Sequence, residues 1–155
     1  MSGVADYVDR HADVLLYAYD AVARGEQLSP PDLAAGSGHL VTGVHKMAQW
    51  FLLELLTPVG SVAHRGIGTG FLSQAKRGVW RTSADVTRDY ALAAAQARRA
   101  MRLRQRVSDP ADERLAKDEL ISVAIASGSV SLRIALTSAA GDRREYVVPI
   151  DIAIR

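Results

Sequence analysis

The chain has 155 residues, of which 48% are apolar and none is cysteine, and its formal net charge is only +2. The length predicts one domain with a modest core, and the lack of cysteine excludes disulfides, thiolate metal sites and cysteine nucleophiles. So small a net charge does not by itself indicate a nucleic-acid-binding protein. The sequence shows neither an apolar stretch long enough to cross a bilayer nor a signal-peptide pattern, so we expect no membrane association.

The first quarter of the chain carries weak signals. Residues 1–12 have little pattern and predict a loose arm or a short helix. Residues 13–20 (DVLLYAYD) are rich in β-branched and aromatic side chains, which favours a short strand, with a helix as the alternative. Residues 24–38 are rich in Gly, Pro and Ser and predict a loop or an extended segment.

Two long helices are predicted, over residues 43–57 and 83–106. The first ends at Thr57-Pro58, because proline cannot continue a helix. The second can be capped by Thr82 or Ser83 and has Asp85 in its first turn. The apolar stripe of the first helix comprises Val44, Met47, Ala48, Phe51, Leu52, Leu55 and Leu56. The stripe of the second comprises Val86, Tyr90, Ala94, Ala97 and Met101.

The C-terminal part of the chain alternates with a period of two and predicts three strands over residues 119–155, after a short helical turn over 111–117. Gly128 and Gly141 mark the turns that join the strands into an antiparallel meander. The side chains predicted to share a face within each strand are Ile121, Val123 and Ile125, then Val130, Leu132, Ile134 and Leu136, then Val148, Ile150, Ile152 and Ile154. We therefore predict an α+β fold of two main helices packed on a small antiparallel β-meander, to which an N-terminal strand can be added.

The last predicted strand contains Pro149, which has no backbone N–H to donate to a neighbouring strand. This indicates that the strand, or part of it, lies at an edge of the sheet. An apolar edge is an aggregation liability when it is bare. It can be buried within its own chain or completed by a strand from another chain, and both alternatives stay open.

A glycine-rich segment, residues 59–70, joins the first helix to the next part of the core. Its Gly66-Ile67-Gly68-Thr69-Gly70 run invites comparison with phosphate-binding loops. Such loops follow a strand and lead into a helix, whereas a helix precedes this one and no Lys-Ser/Thr pair follows it. We interpret the segment as a structural loop.

Other residue types give little sign of catalysis or metal binding. The four histidines are His11, His39, His45 and His64, and no two have the spacing that places metal ligands on one helical face. Among the carboxylates only Glu54 lies near an apolar surface, and a paired or snorkelling side chain is favoured over a catalytic acid. We expect no enzyme and no cofactor, with a small hydrolase around Glu54 or the glycine loop as a remote alternative.

Arginines cluster at the end of the second predicted helix, at Arg98, Arg99, Arg102, Arg104 and Arg106. This placement suits the negative end of the helix dipole, so a solvated helix end is one interpretation. The functional alternatives are a nucleic-acid-binding or regulatory module that uses this helix end, or contact with an acidic protein surface, and the few aromatic residues nearby disfavour the nucleic acid. Asp112, Glu113, Asp118 and Glu119 can also neutralise the cluster within the chain.

Several short motifs occur in a familiar order over residues 13–154. They are Tyr19-Asp20, Asp32-Leu33, Leu40-Val41-Thr42-Gly43 before a helix with Gln49, Leu55-Leu56-Thr57-Pro58-Val59-Gly60-Ser61, and Gly66-Ile67-Gly68-Thr69-Gly70-Phe71-Leu72, followed by a helix and a β-meander. In this order the chain resembles the phage baseplate-wedge family, sometimes labelled tail-lysozyme-like, whose members initiate the sheath of contractile tails. The family's two short glycine turns correspond to Leu56-Thr57-Pro58-Val59-Gly60 and Gly68-Thr69-Gly70-Phe71-Leu72.

The resemblance implies a structural component of a virion tail baseplate, assembled in the host cytoplasm, with several copies in a ring around the central tube. It implies three kinds of partner: other baseplate wedge proteins, the tail sheath protein, and tail tube or hub proteins. It implies no enzymatic activity, membrane or nucleic acid. Each copy would offer its sheet to strands of the first ring of sheath subunits by β-augmentation.

The resemblance also implies two partner-binding regions. The residues expected to meet the sheath strand are Val147, Val148, Ile150, Asp151, Ile152 and Ile154. The residues expected to contact the wedge core are Asp112, Glu113 and Arg114, together with Arg98 and Arg102. The first three are the nearest counterpart of a Glu-Pro-Arg motif in the family, and the proline is missing here.

Overall fold

The computed structural model describes residues 13–14, 19–22, 25–28, 40–61 and 67–152. These residues form helices and an antiparallel meander, so the predicted α+β class is confirmed. The helices are α1 (Gly43–Leu56), α2 (Phe71–Lys76) and α3 (Ser83–Arg104), with a 3₁₀ turn at Ala111–Glu113. The strands are β1 (Asp13–Val14), β2 (Tyr19–Val22), β3 (Gly25–Leu28), β4 (Leu40–Val41), β5 (Leu115–Ala126), β6 (Ser129–Ser138) and β7 (Arg143–Asp151).

The main sheet has five strands in the order β2-β3-β7-β6-β5. Strands β5, β6 and β7 are the predicted antiparallel meander. Strand β3 adds to β7 in parallel, with Glu26 opposite Tyr146 and Gln27 opposite Val147. Residues 24–38 were predicted to be a loop or an extended segment. Residues 25–28 are extended, because they form β3. Residues 13–14 and 19–20 of the single strand predicted over 13–20 are extended, but they belong to β1 and β2, which pair in two different sheets. The predicted arm at 1–12 lies outside the described residues.

The core lies between one face of the sheet and the three helices. Helix α1 contacts β6, α2 contacts β7 and α3 contacts β5. The Phe71 ring lies 4.8 Å from the ring of Trp80 and 6.2 Å from that of Tyr90, both measured between centroids. Helix α2 was not predicted from the sequence, and its Phe71 and Ala75 are buried. The buried residues include every predicted stripe residue of α3, and from the sheet Val130, Leu132, Ile134, Leu136, Val148 and Ile150.

Four predicted boundaries are wrong by one to four residues. Helix α1 ends at Leu56, before Thr57, and helix α3 ends at Arg104 rather than at 106. Gln105 stands at the C-cap with an extended backbone, and its side chain holds the start of β5, with Nε2 donating to the Glu113 carbonyl and Oε1 accepting from the Leu115 amide. The predicted helical turn over 111–117 is only a 3₁₀ turn, and β5 begins at Leu115 rather than at 119.

The predicted alternation in the first meander strand is wrong at Ile121, whereas Val123 and Ile125 share a face as predicted, opposite Leu132 and Val130. The pairing of β5 with β6 shifts register between Leu120 and Ser122, so Ile121 is an extra residue in a β-bulge. Leu120 and Val123 consequently pack against the core. Ile121 and Ile125 are each 40% exposed. A bulge cannot be read from a period-two pattern, because it changes which residues share a face.

Helix α3 begins with a capping box. The Thr82 hydroxyl accepts from the Asp85 amide, and the Asp85 carboxylate accepts from the amides of Arg81 and Thr82. These backbone hydrogen bonds, with that of Arg81 the largest, lower the pKa of Asp85 from its ordinary value. The predicted cap at Thr82 is therefore confirmed.

Candidate functional site

Strand β5 forms one outer edge of the five-stranded sheet. It is twelve residues long, and among the described residues no strand lies on its outer side. Its first half carries Lys117, Asp118 and Glu119, whereas residues 120–126 (LISVAIA) carry no charge. Natural proteins usually blunt edge strands with charges, bulges or prolines, so the second half is the less protected part. Only the bulge at Ile121 interrupts it.

The first half of β5 is tied to α3 by a buried carboxylate. Asp118 accepts hydrogen bonds from Arg98 Nη1 at 2.6 Å and from the Tyr90 hydroxyl at 3.2 Å. The Asp118 side chain is only 3% exposed. Burial raises the pKa of Tyr90, and the negative charge of Asp118 raises it further. Arg98, which was expected to contact the wedge core, therefore forms an ion pair within the chain, with Asp118.

Strand β7 is an edge over only part of its length. Val147 is paired in register with Gln27 of β3, while residues 148–151 have no described strand on that side. The side chains of Val148 and Ile150 are buried in the core, so they could meet a partner strand only through their backbone. Asp151 is exposed, Ile152 packs partly against the core, and Ile154 lies outside the described residues.

A cleft of about 560 Å³ opens between α1, the end of α3 and the 3₁₀ turn. Its size is in the range of ligand and side-chain pockets. Met47, Met101 and Trp50 supply its apolar surface. The Arg104 guanidinium lies 5.7 Å from the centre of the Trp50 ring. The cleft is also lined by Lys46, Gln105, Arg106, Ser108, Asp109, Pro110 and Glu113.

Glu113 acts as a remote cap for α1. Thr42, at the N-cap position, makes no side-chain cap hydrogen bond, and no acidic residue lies in the first turn of α1. Glu113 Oε1 accepts instead from the Gly43 amide at 3.2 Å, and its Oε2 pairs with Lys46 Nζ at 2.8 Å. Its side chain is 7% exposed. Glu113 therefore serves the helix start, and no local sequence signal indicated this role.

Replacing Glu113 by alanine should lower the free energy of unfolding by about 1–2 kcal/mol, because α1 loses its cap and Lys46 loses its counter-charge. Glu113→Gln keeps an acceptor for the Gly43 amide and should cost less than the alanine variant. Urea denaturation measures both. Glu119→Ala, which removes an exposed pair with Lys117, is the matched control and should change stability by less than about 0.5 kcal/mol. An equal effect of the two alanine variants would remove the capping role.

The remaining residues expected at the wedge core have mixed surroundings. Arg102 is exposed on α3. Asp112 and Arg114 are partly buried beside the cleft. The Arg114 Nε atom is buried and has no hydrogen-bond partner in the described part of the chain. Glu113 therefore lines the cleft, whereas Asp112 and Arg114 flank it in sequence and are partly buried.

The glycine loop is held by the end of α1. The Gly68 amide donates to Glu54 Oε2 at 3.1 Å, the Thr69 amide to the Thr57 carbonyl at 2.9 Å, and the Thr69 hydroxyl to the Leu55 carbonyl at 2.7 Å. Glu54 is 1% exposed, and its other oxygen pairs with Arg104. These groups bind one another, which supports the structural interpretation of the loop and of Glu54.

The described residues contain no group of three or more His, Asp or Glu that could hold a metal ion. Within the same residues no helix combines the length and apolar character that crossing a membrane requires. The chain matches no protein-family model, no curated protein and no solved structure.

Proposed function

We propose that the chain is a structural assembly protein, the wedge component of a contractile-tail baseplate, and that its sheet edge receives a strand of the tail sheath protein. One observation carries this proposal. Strand β5 is a twelve-residue edge, and residues 120–126 of it lack charge and expose Ile121 and Ile125. β-augmentation draws affinity from such a row of backbone groups and specificity from alternate side chains.

The order of the motifs indicates which protein supplies the strand that adds to the sheet edge. The resemblance to the baseplate-wedge family points to the sheath protein, and it assigned the receiving strand to β7. Strand β3 pairs with the middle of β7, at Tyr146 and Val147, so the longer edge is β5. We therefore place the main docking edge at β5 and keep residues 148–152 as the competing edge within the same function.

Neighbours in the baseplate would use other surfaces. Asp112, Arg114 and the cleft beside them are the proposed contact with other wedge proteins, since Met, Trp and Arg are enriched where protein interfaces bury their anchors. Several copies would stand in a ring around tail tube or hub proteins, within the virion tail. A structural role is also what the pairing of Glu54 with Arg104 and Gly68 favours over acid–base chemistry.

Tails assembled with an Ile121→Lys/Ile125→Lys variant should carry little or no sheath, because two lysines on the edge resist addition of a strand. Electron microscopy of the assembled tails counts sheathed and bare tubes, and we expect at least a tenfold loss of sheathed tails. Val59→Lys places a lysine at another exposed apolar position, 67% exposed, on the loop after α1. It should leave sheath assembly unchanged.

The variant Pro149→Lys/Asp151→Lys tests whether the sheath strand docks on β7 instead of β5, since both residues are exposed on β7. Loss of sheath in this variant alone would move the docking edge to β7. Normal sheathed tails in both edge variants would contradict strand templating altogether. Circular dichroism and the urea midpoint of each purified variant separate an unfolded chain from a folded chain that cannot assemble.

A further inference from the structure

The arginines of α3 and its C-terminal end fall into two groups. Arg88, Arg98 and Arg104 each contact a carboxylate, and these partners are Asp85 and Asp89, Asp118, and Glu54 respectively. Arg99, Arg102 and Arg106 are exposed, and none has an ion-pair partner in the described ranges. The arginine cluster seen in the sequence is therefore only partly neutralised within the chain.

The unpaired arginines lie away from the core. In an α-helix each residue advances by about 100°, which places Arg99 opposite the buried stripe of Tyr90, Ala97 and Met101. Leu92 and Leu103 lie on the same outer face and are 65% and 80% exposed. Val107, just beyond the helix, is 92% exposed. Folding of the chain therefore leaves both the charges and the apolar side chains of this face in water.

We infer that the outer face of α3, defined by Leu92, Arg99, Arg102 and Leu103, docks an acidic amphipathic helix of a partner protein. Carboxylates of that helix would pair with Arg99 and Arg102, whose guanidinium groups suit bidentate pairing. Leucine-type side chains would cover Leu92 and Leu103. From Leu92 to Leu103 the face extends roughly 16 Å at the helical rise of 1.5 Å per residue, which suits about three turns of a partner helix.

The composition of the face favours a protein over a nucleic acid. Binding to phosphates needs cations alone, and it would leave the two exposed leucines without a partner. Proteins that bind single strands also offer aromatic side chains for stacking. The exposed tryptophan nearest the end of α3, Trp50, already has Arg104 over its ring.

A lipid surface suits the face less well. Interfacial helices bury a continuous apolar stripe among acyl chains. The apolar stripe of α3 is buried in the protein core instead, and only separate leucines remain outside. The inference concerns a second surface and does not depend on the strand-templating edge.

The test uses the purified full chain and two synthetic helical peptides that share one leucine pattern, one with glutamates and one with lysines at the charged positions. Fluorescence anisotropy at low salt should show binding of the acidic peptide at least tenfold tighter than of the basic one. Arg99→Glu/Arg102→Glu should weaken acidic-peptide binding at least tenfold. Leu103→Ser, which keeps all charges, should weaken it severalfold.

A charge-matched control distinguishes the local face from net charge. Arg81 and Arg144 are also exposed, and the structure assigns their side chains no ion pair among the described residues. Arg81→Glu/Arg144→Glu should leave peptide binding unchanged. An equal loss in the control, or no binding of the acidic peptide to the wild-type chain, would overturn the inference. So would tighter binding of an oligonucleotide or of anionic phospholipid vesicles, if Arg99→Glu/Arg102→Glu abolished it.

Discussion

Gly68→Ala should lower the free energy of unfolding by about 3 kcal/mol or more, from backbone strain and overpacking together. Gly68 has φ near +94°, a region that residues with a Cβ rarely adopt. A Cβ at this position would also collide with the carbonyl oxygen of Thr57 and lie 3.0 Å from its carbonyl carbon. Backbone atoms cannot rotate away, and the same Thr57 oxygen accepts the Thr69 amide.

The loss should extend beyond the loop, because the Gly68 amide is one of the groups that hold buried Glu54. Urea denaturation followed by circular dichroism measures the effect. Gly70→Ala is the matched control in the same loop. The backbone of Gly70 is α-helical, with φ near −79°, and a Cβ there would meet no atom within 4 Å. It should cost less than about 1 kcal/mol, and similar costs for the two variants would contradict the close packing of the loop on Thr57.

Arg104→Met should destabilise the fold by about 2–4 kcal/mol, because it leaves the buried Glu54 carboxylate without its counter-charge. Glu54 is 1% exposed, whereas the Arg104 side chain is 36% exposed. Water can replace part of the arginine, so we expect less than for a fully buried pair. The contact with Trp50 contributes about 0.5 kcal/mol of this loss, as expected for an exposed cation–π pair.

A double variant tests the same pair from the other side. Glu54→Gln/Arg104→Met removes the buried charge but keeps an acceptor for the Gly68 amide, so it should be more stable than Arg104→Met alone by about 1 kcal/mol or more. Arg102→Met is the matched control, because Arg102 is an exposed arginine of the same helix that has no ion-pair partner among the described residues. It should change the free energy of unfolding by less than about 0.5 kcal/mol. If Arg104→Met cost no more than Arg102→Met, the ion pair would not contribute to joining α1 and α3.

Short-range patterns were enough for the two long helices and for β6 and β7, but they did not predict α2. The helical spacing of apolar residues located α1 and α3 to within two residues, because period and capping are set by neighbouring residues. Alternation and two glycine turns likewise located β6 and β7 of the meander. The glycine loop was assigned a structural role because its flanking elements do not fit a phosphate-binding loop.

The edges of the sheet could not be predicted in the same way. Pro149 indicated an edge at the last strand, and residues 148–151 pair with β6 on one side and have no described strand on the other side. The pairing of β3 with β7 and the bulge at Ile121 are decided by contacts between distant segments. No period in the sequence encodes which strand stands last, so the long edge at β5 emerged only from the strand order.

The use of each charge was likewise a matter of tertiary structure. The sequence by itself determined an α+β chain with two amphipathic helices, a meander and a basic helix end. Only the fold decided that Glu113 caps a helix that begins 70 positions earlier in the chain. It also decided that Glu54 forms an ion pair with Arg104 and that Asp118 forms one with Arg98. The reason is physical: local periodicity depends on residues a few positions apart, whereas pairing depends on where the packed core brings distant segments together.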